Sequence, residues 1–181
     1  MISAFERRLK DRRDELEWLY MELYDRRDRL DELLERMAEA YRQRSQSLRR
    51  LDAKREENPE WFRAGKMLGM TMYTDLFAGN LTELEKRLDY LTGQGITYLH
   101  LMPLLKMPHP DNDGGYAVED FDQVDPSLGT NEDLSRLTAA MRRRGMSLCL
   151  DFVINHTADT HPWAMRAKAG EQEYIDRYIC F

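Results

Sequence analysis

Every glycine and every proline of this 181-residue chain lies after residue 58. A segment that long without either residue can run as helix, free of the missing N–H of proline and the extra backbone entropy of glycine. Its apolar residues follow suit. Leu9, Leu16, Leu19, Leu23, Leu30, Leu33, Leu34, Met37 and Tyr41 recur mainly three, four or seven apart, the spacing of amphipathic helix. Breaks are expected near Asp25 and over 43–47, so residues 1–60 read as two or three helices packed together. A coiled coil is the rival reading, but the heptads drift and Tyr20, Tyr24 and Tyr41 are bulky for a seam. The arginine runs read as solvated faces with local ion pairs. Asn58-Pro59 ends the region.

From residue 61 the pattern alternates. Strands are expected over 68–74, 96–102 and 147–154. Helices are expected over 80–92, with Asn80 and Glu83 spaced like a capping box, and after Thr130, with Asp133 three residues on. Arg142, Arg143 and Arg144 then suit the negative end of the helix dipole, and Gly145 supplies the stop. Strand, helix, strand, helix, strand with right-handed crossovers implies an α/β fold with a parallel sheet. The connection over 104–129 is longer than such loops usually are, which points to function.

Composition narrows the partners. A net charge of −6 argues against nucleic acid, which favours a basic face. No apolar run reaches the length of a membrane span, and the charged N-terminus lacks a signal-peptide core. These features point to a cytoplasmic protein with no membrane partner. Cys149 and Cys180 are then expected as reduced thiols.

Polar residues gather where the expected strands end: Asp75 after the first, Asp113 and Tyr116 in the long loop, Asn155 and His156 after the third. Carboxyl ends of parallel strands are where functional groups collect in α/β folds. In Asp113-Gly114-Gly115-Tyr116 the glycines permit a tight turn and close backbone approach, and a carboxylate and an aromatic ring flank it. That pairing suits a polyol, though a capped and packed turn would carry the same residues. His156 fits a general base, a metal ligand, a hydrogen-bond donor or a packed core histidine. With His161 it lacks the spacing of a zinc-protease motif. His100, inside a strand, reads as structural.

Taken together these residues resemble a known family. Asp151-Phe-Val-Ile-Asn-His156 is similar to the first characteristic region of the α-amylase superfamily, retaining α-glucoside enzymes built on a (β/α)8 barrel. Tyr98-Leu-His-Leu-Met-Pro-Leu104, Asp113-Gly-Gly-Tyr-Ala-Val118, Val124-Asp-Pro-Ser-Leu-Gly-Thr130 and Asp75-Leu-Phe-Ala-Gly79 resemble the amylosucrase branch, as does Leu51-Asp-Ala-Lys-Arg-Glu-Glu-Asn-Pro-Glu-Trp-Phe62 after the helical N-terminus. The resemblance implies an N-terminal helical domain (1–60) and the first three strands of an incomplete barrel (61–181).

It also implies roles. Asp113 would close the floor of a glucosyl pocket, Tyr116 would be its aromatic platform, and His156 would hydrogen-bond a glucosyl hydroxyl. Asp151 and Asn155 would support them. The implied ligands are sucrose and an α-glucan, with no cofactor and no metal, and a homodimer through the N-terminal helices is one option. Retaining chemistry needs two carboxylates about 5–5.5 Å apart, which the family places after strands four and five. On that basis residues 1–181 are expected to be inactive alone. Sucrose hydrolase, α-glucosidase, trehalose-forming enzyme and non-catalytic helical stub are the alternatives.

Overall fold

The computed structural model describes residues 3–63 and 65–179. The chain divides into two compact units, Met1–Phe62 and Arg63–Phe181.

The first unit contains α1 (Ala4–Tyr24), α2 (Arg27–Gln43) and α3 (Gln46–Glu57). Ser3 starts α1 with a reciprocal capping box: its hydroxyl accepts the Glu6 N–H, and the Glu6 carboxylate accepts the Ser3 N–H. Asp25, at φ 47°, ends α1 in a left-handed turn, a conformation Asp tolerates better than most residues. Leu30 and Leu34 of α2 are buried, and Phe5 stacks on Tyr41 at 5.7 Å. Arg8 and Glu56 join α1 to α3 with paired hydrogen bonds of 2.8 and 2.7 Å. The arginine runs form local pairs such as Arg13–Glu17 and Arg36–Glu32. Such exposed pairs each contribute little, about 0–1 kcal/mol, so Leu30, Leu34 and their neighbours carry most of the helix packing.

The second unit alternates strand and helix: β1 (Gly69–Met72), α4 (Thr74–Ala78), α5 (Leu81–Lys86), α6 (Leu88–Gly93), β2 (Tyr98–Leu101), β3 (Leu105–Lys106), β4 (Asp120–Val124), α7 (Asn131–Arg143), β5 (Ser147–Leu150), α8 (Pro162–Lys168) and α9 (Gln172–Ile175). Strands β1, β2 and β5 form a parallel sheet in that order, with Gly69, Tyr98 and Ser147 in register. Leu81, Leu84, Leu88, Leu91, Leu137 and Met141 of the helices pack with Leu99 and Leu101 of β2 into one core. Burying each such side chain is worth about 1.5–3 kcal/mol. Thr130 and Asp133 form a reciprocal capping box at the start of α7. Gly145, at φ 73°, supplies the left-handed stop after it.

Three expectations need correction. The helix expected over 80–92 is two short helices meeting at Arg87, and its capping box is half made. Asn80 accepts the Glu83 N–H, but the Glu83 carboxylate turns to Lys86. The long connection is not structureless, because β3 and β4 pair antiparallel within it. Two residues of β3 are too few for a periodic signal, and Asp120 and Asp122 disguise β4.

The third expected strand, 147–154, stops at Leu150, so the stretch from Asp151 to Thr157 is not a buried strand. Leu150 pairs with Leu101; one step further along the register Asp151 would face Met102, whose N–H already serves Met72. The next position would meet Pro103, which has no N–H to offer. Phe152 and Ile154 are consequently 69% and 87% exposed.

Candidate active site

The candidate site forms where the carboxyl ends of β1, β2 and β5 meet the long loop. Two consecutive left-handed glycines shape that loop: Gly114 has φ 83° and Gly115 φ 90°. A Cβ on Gly115 would come within 2.8 Å of Pro103 Cβ, and one on Gly114 would stand 3.2 Å from the Tyr73 hydroxyl. The turn therefore needs glycine for both its backbone angles and its close packing. Asn112 holds the Gly114 N–H at 2.9 Å, and Asp113 Oδ1 accepts the Ala117 N–H at 2.8 Å.

One oxygen of Asp113 is thus fixed on its own loop. The other, Oδ2, lies 3.9 Å from His156 Nε2, and each side chain is 47% exposed. The Asn155 side-chain amide approaches His156 Nδ1 at 3.4 Å. Asp151 reaches across the sheet: its Oδ1 lies 3.2 Å from His100 Nε2, while its Oδ2 is buried with no hydrogen-bond partner among the described residues. Tyr116 is half-buried between these groups. Burial raises its phenol pKa first, and the neighbouring Asp151, Tyr73 and Asp113 raise it further. The phenol accordingly stays protonated and able to donate.

Of the six residues singled out in the sequence, Asp113, Tyr116, Asp151, Asn155 and His156 lie on this rim. The geometry brings Asp113 to His156 and Asp151 to Tyr116, and it puts Asn155 beside His156. Asp75 is different: it is exposed in the first turn of α4, and its carbonyl accepts the Gly79 N–H. Tyr73 escaped the sequence reading, and His100, read there as structural within its strand, holds Asp151. His100 carried a readable signal, since Leu99 and Leu101 on either side are fully buried. Alternation therefore turns His100 to the opposite face of the strand, towards Asp151.

His161, which with His156 lacks the spacing of a zinc-protease motif, is a buried helix cap whose Nδ1 accepts the Trp163 N–H at 3.1 Å. Burial lowers its pKa, against the opposing charges of Asp120 and Glu119. Among the described residues no three His, Cys, Asp or Glu side chains come together as a metal site. Cys149 is a free thiol; Cys180 lies outside the described residues. Among the described residues no helix is long and apolar enough to cross a membrane.

Chemically, the rim offers a carboxylate oxygen, an imidazole and a protonated phenol around an aromatic face, which suits the hydroxyls and apolar face of a sugar. Among the described residues, its two carboxylates each have one oxygen already engaged. Asp113 is engaged by its own loop, and Asp151 by His100.

Comparison with known proteins agrees with this architecture. The family model "Alpha amylase, catalytic domain" matches residues 38–180. The amino acid transporter heavy chain SLC3A1 of Rattus norvegicus is 35% identical over 127 residues, covering 66% of this chain and 18% of that protein. The trehalose synthase of Pimelobacter sp. is 34% identical over 129 residues, covering 68% of this chain and 22% of that enzyme. Among solved structures, the trehalulose synthase MutB of Pseudomonas mesoacidophila aligns with a TM-score of 0.56 and 34% identity, over 63% of this chain and 22% of its own. A MutB mutant in complex with the substrate sucrose aligns at 0.59 with 32% identity, over 67% and 22%. The chain thus spans about a fifth of the length of these relatives. Its parallel strands β1, β2 and β5 are the first three strands of an incomplete (β/α)8 barrel, and the chain belongs to the α-amylase family as part of its catalytic domain.

Proposed function

We propose that these residues are part of a retaining α-glucosyl enzyme that acts on sucrose, in the manner of amylosucrase. The observation that carries this is the approach of His156 Nε2 to Asp113 Oδ2, 3.9 Å apart, with Tyr116 beside them. Asp113 accepts from hydroxyls at the closed end of the glucosyl pocket, Tyr116 lies against the ring, and His156 donates to a ring hydroxyl. Asp151 and Asn155 hold that arrangement. The family relation to enzymes described as acting on sucrose supports the substrate.

The chemistry would begin with attack of a carboxylate on the glucosyl anomeric carbon while a second carboxylic acid protonates the departing fructose. A 4-hydroxyl of an α-glucan would then take the glucosyl unit, with its proton passing to the acid/base. Both carboxylates would come from elsewhere in the whole protein, and no cofactor enters the cycle.

Incubation of the full-length protein with sucrose and glycogen tests the reading. Fructose release matched by elongation of the glucan supports it, and intact sucrose contradicts it. A second reading, isomerisation of sucrose, is favoured by the trehalulose and isomaltulose synthases among the structural relatives. Formation of a sucrose isomer with little free fructose would select it.

A further inference from the structure

Asp113 and Tyr116 ride on the tip of the long loop, beyond the β3–β4 pair. Backbone closes the base of that tip: the Asp125 N–H donates to the Leu104 carbonyl and the Glu119 N–H to the Lys106 carbonyl, each at 2.8 Å. β3 ends at Lys106, and from there one side chain takes over the hold on the ascending arm.

That side chain is Asp125, which is fully buried. Its Oδ1 accepts the N–H and the hydroxyl of Ser127, which fixes the carboxylate on the descending side of the loop. Its Oδ2 reaches across to the ascending arm, accepting the Met107 N–H at 3.2 Å and His109 Nε2 at 3.0 Å. Burial pushes the Asp125 carboxyl up, but the bonds from Ser127, His109 and Met107 hold it below its ordinary value. The carboxylate is therefore ionised, and Nε2 carries the hydrogen between them. A bond to a buried, ionised acceptor is among the stronger ones a loop can use.

The hold passes on to the site. Met107 lies against Gly115, where a Cβ would stand 3.0 Å from Met107 Cε, and Gly115 belongs to the turn between Asp113 and Tyr116. On the other arm the Val118 carbonyl accepts the Ala158 N–H at 2.9 Å, two residues beyond His156. The arm held by Asp125 and the arm tied to the His156 loop thus meet at the turn where Asp113 Oδ2 faces His156 Nε2.

We infer that His109 is a positioning residue, which through Asp125 fixes the ascending arm of the loop and so the place of Asp113 opposite His156. Its effect on turnover rests on the sucrose reading above; its hold on the loop does not.

His109→Ala and His109→Gln in the full-length protein test it. The ring is half-exposed, so the alanine variant loses the donor without opening a core, and the glutamine amide keeps an N–H at similar reach. In the alanine variant KM for sucrose should rise about threefold to tenfold, the scale of one hydrogen bond, and glutamine should bring it back to within about twofold of the parent. Amide hydrogen exchange over residues 107–119 should quicken in the alanine variant alone, with exchange over α7 unchanged. A general loss of stability would move α7 as well, and glutamine would not mend it. Where the parent leaves sucrose intact, the sucrose reading fails and the exchange pattern alone decides. Parent-like exchange in the alanine variant, equal changes in both variants, or a parent-like KM in an alanine variant that turns over sucrose overturns the assignment.

Discussion

His100 Nε2 and Asp151 Oδ1 stand 3.2 Å apart, joining the middle strand β2 to the residue that follows β5. The contact fixes Asp151 where its charge acts on Tyr116, so a strand histidine reaches the proposed sugar platform through one carboxylate. Both side chains are only about a quarter exposed, and the second Asp151 oxygen is already without a partner among the described residues. His100→Ala should therefore cost the full-length protein about 1–2 kcal/mol in denaturant unfolding. An unchanged midpoint would show that the pair contributes nothing.

Gly115→Ala tests the turn that carries Asp113 and Tyr116. The new Cβ would stand 2.8 Å from Pro103 Cβ in a backbone held at φ 90°, combining overlap with left-handed strain. A loss of about 2 kcal/mol or more is expected, together with a raised KM for sucrose. A variant with parent stability and KM would mean that the loop can relax without moving the site.

The start of α7 carries a pH signature. Bonds from the Thr130 N–H, the Thr130 hydroxyl and Arg136 lower the Asp133 carboxyl from 3.8 to about 2. A depressed carboxyl stabilises the fold above its unfolded pKa and loses that contribution as pH falls through the folded value. The loss should fall between about pH 4 and pH 2. In Asp133→Asn that part of the stability profile should flatten, as read by unfolding at stepped pH; an identical profile would remove Asp133 from the account. Thr130→Ala should cost about 1 kcal/mol through the lost cap.

Among the described residues, β5 pairs only with β2, and Phe152, Ile154 and Leu150 lie exposed at or beyond its end. An unpaired strand edge beside apolar side chains invites intermolecular pairing. Residues 1–181 expressed alone should associate or lose fixed packing. A monomer with a cooperative melt and a native near-UV spectrum would contradict this.

The ease of reading the chain followed the range of the interactions involved. The breaks around Asp25 and Gln43, the box at Thr130 and the stop at Gly145 depend on residues within four positions, and all were visible in the sequence. The end of β5 was not, because it depends on the register with β2 and on Pro103, far away in the chain. β3 and β4 were hidden for the same reason: their pairing is long-range and their own patterning is weak. Asp113, Tyr116 and His156 could be picked out as residues that carry chemistry at expected strand ends. Their approach, and the hold of His100 on Asp151, arise only when β2 and β5 lie side by side.

The most direct test of the central claim is the steady-state kinetics of His156→Ala in the full-length protein with sucrose. A donor to a glucosyl hydroxyl whose bond strengthens in the transition state should lower kcat about a hundredfold or more, with KM shifting far less. An unchanged kcat, or a loss confined to KM, would contradict the assignment of His156 to the glucosyl pocket.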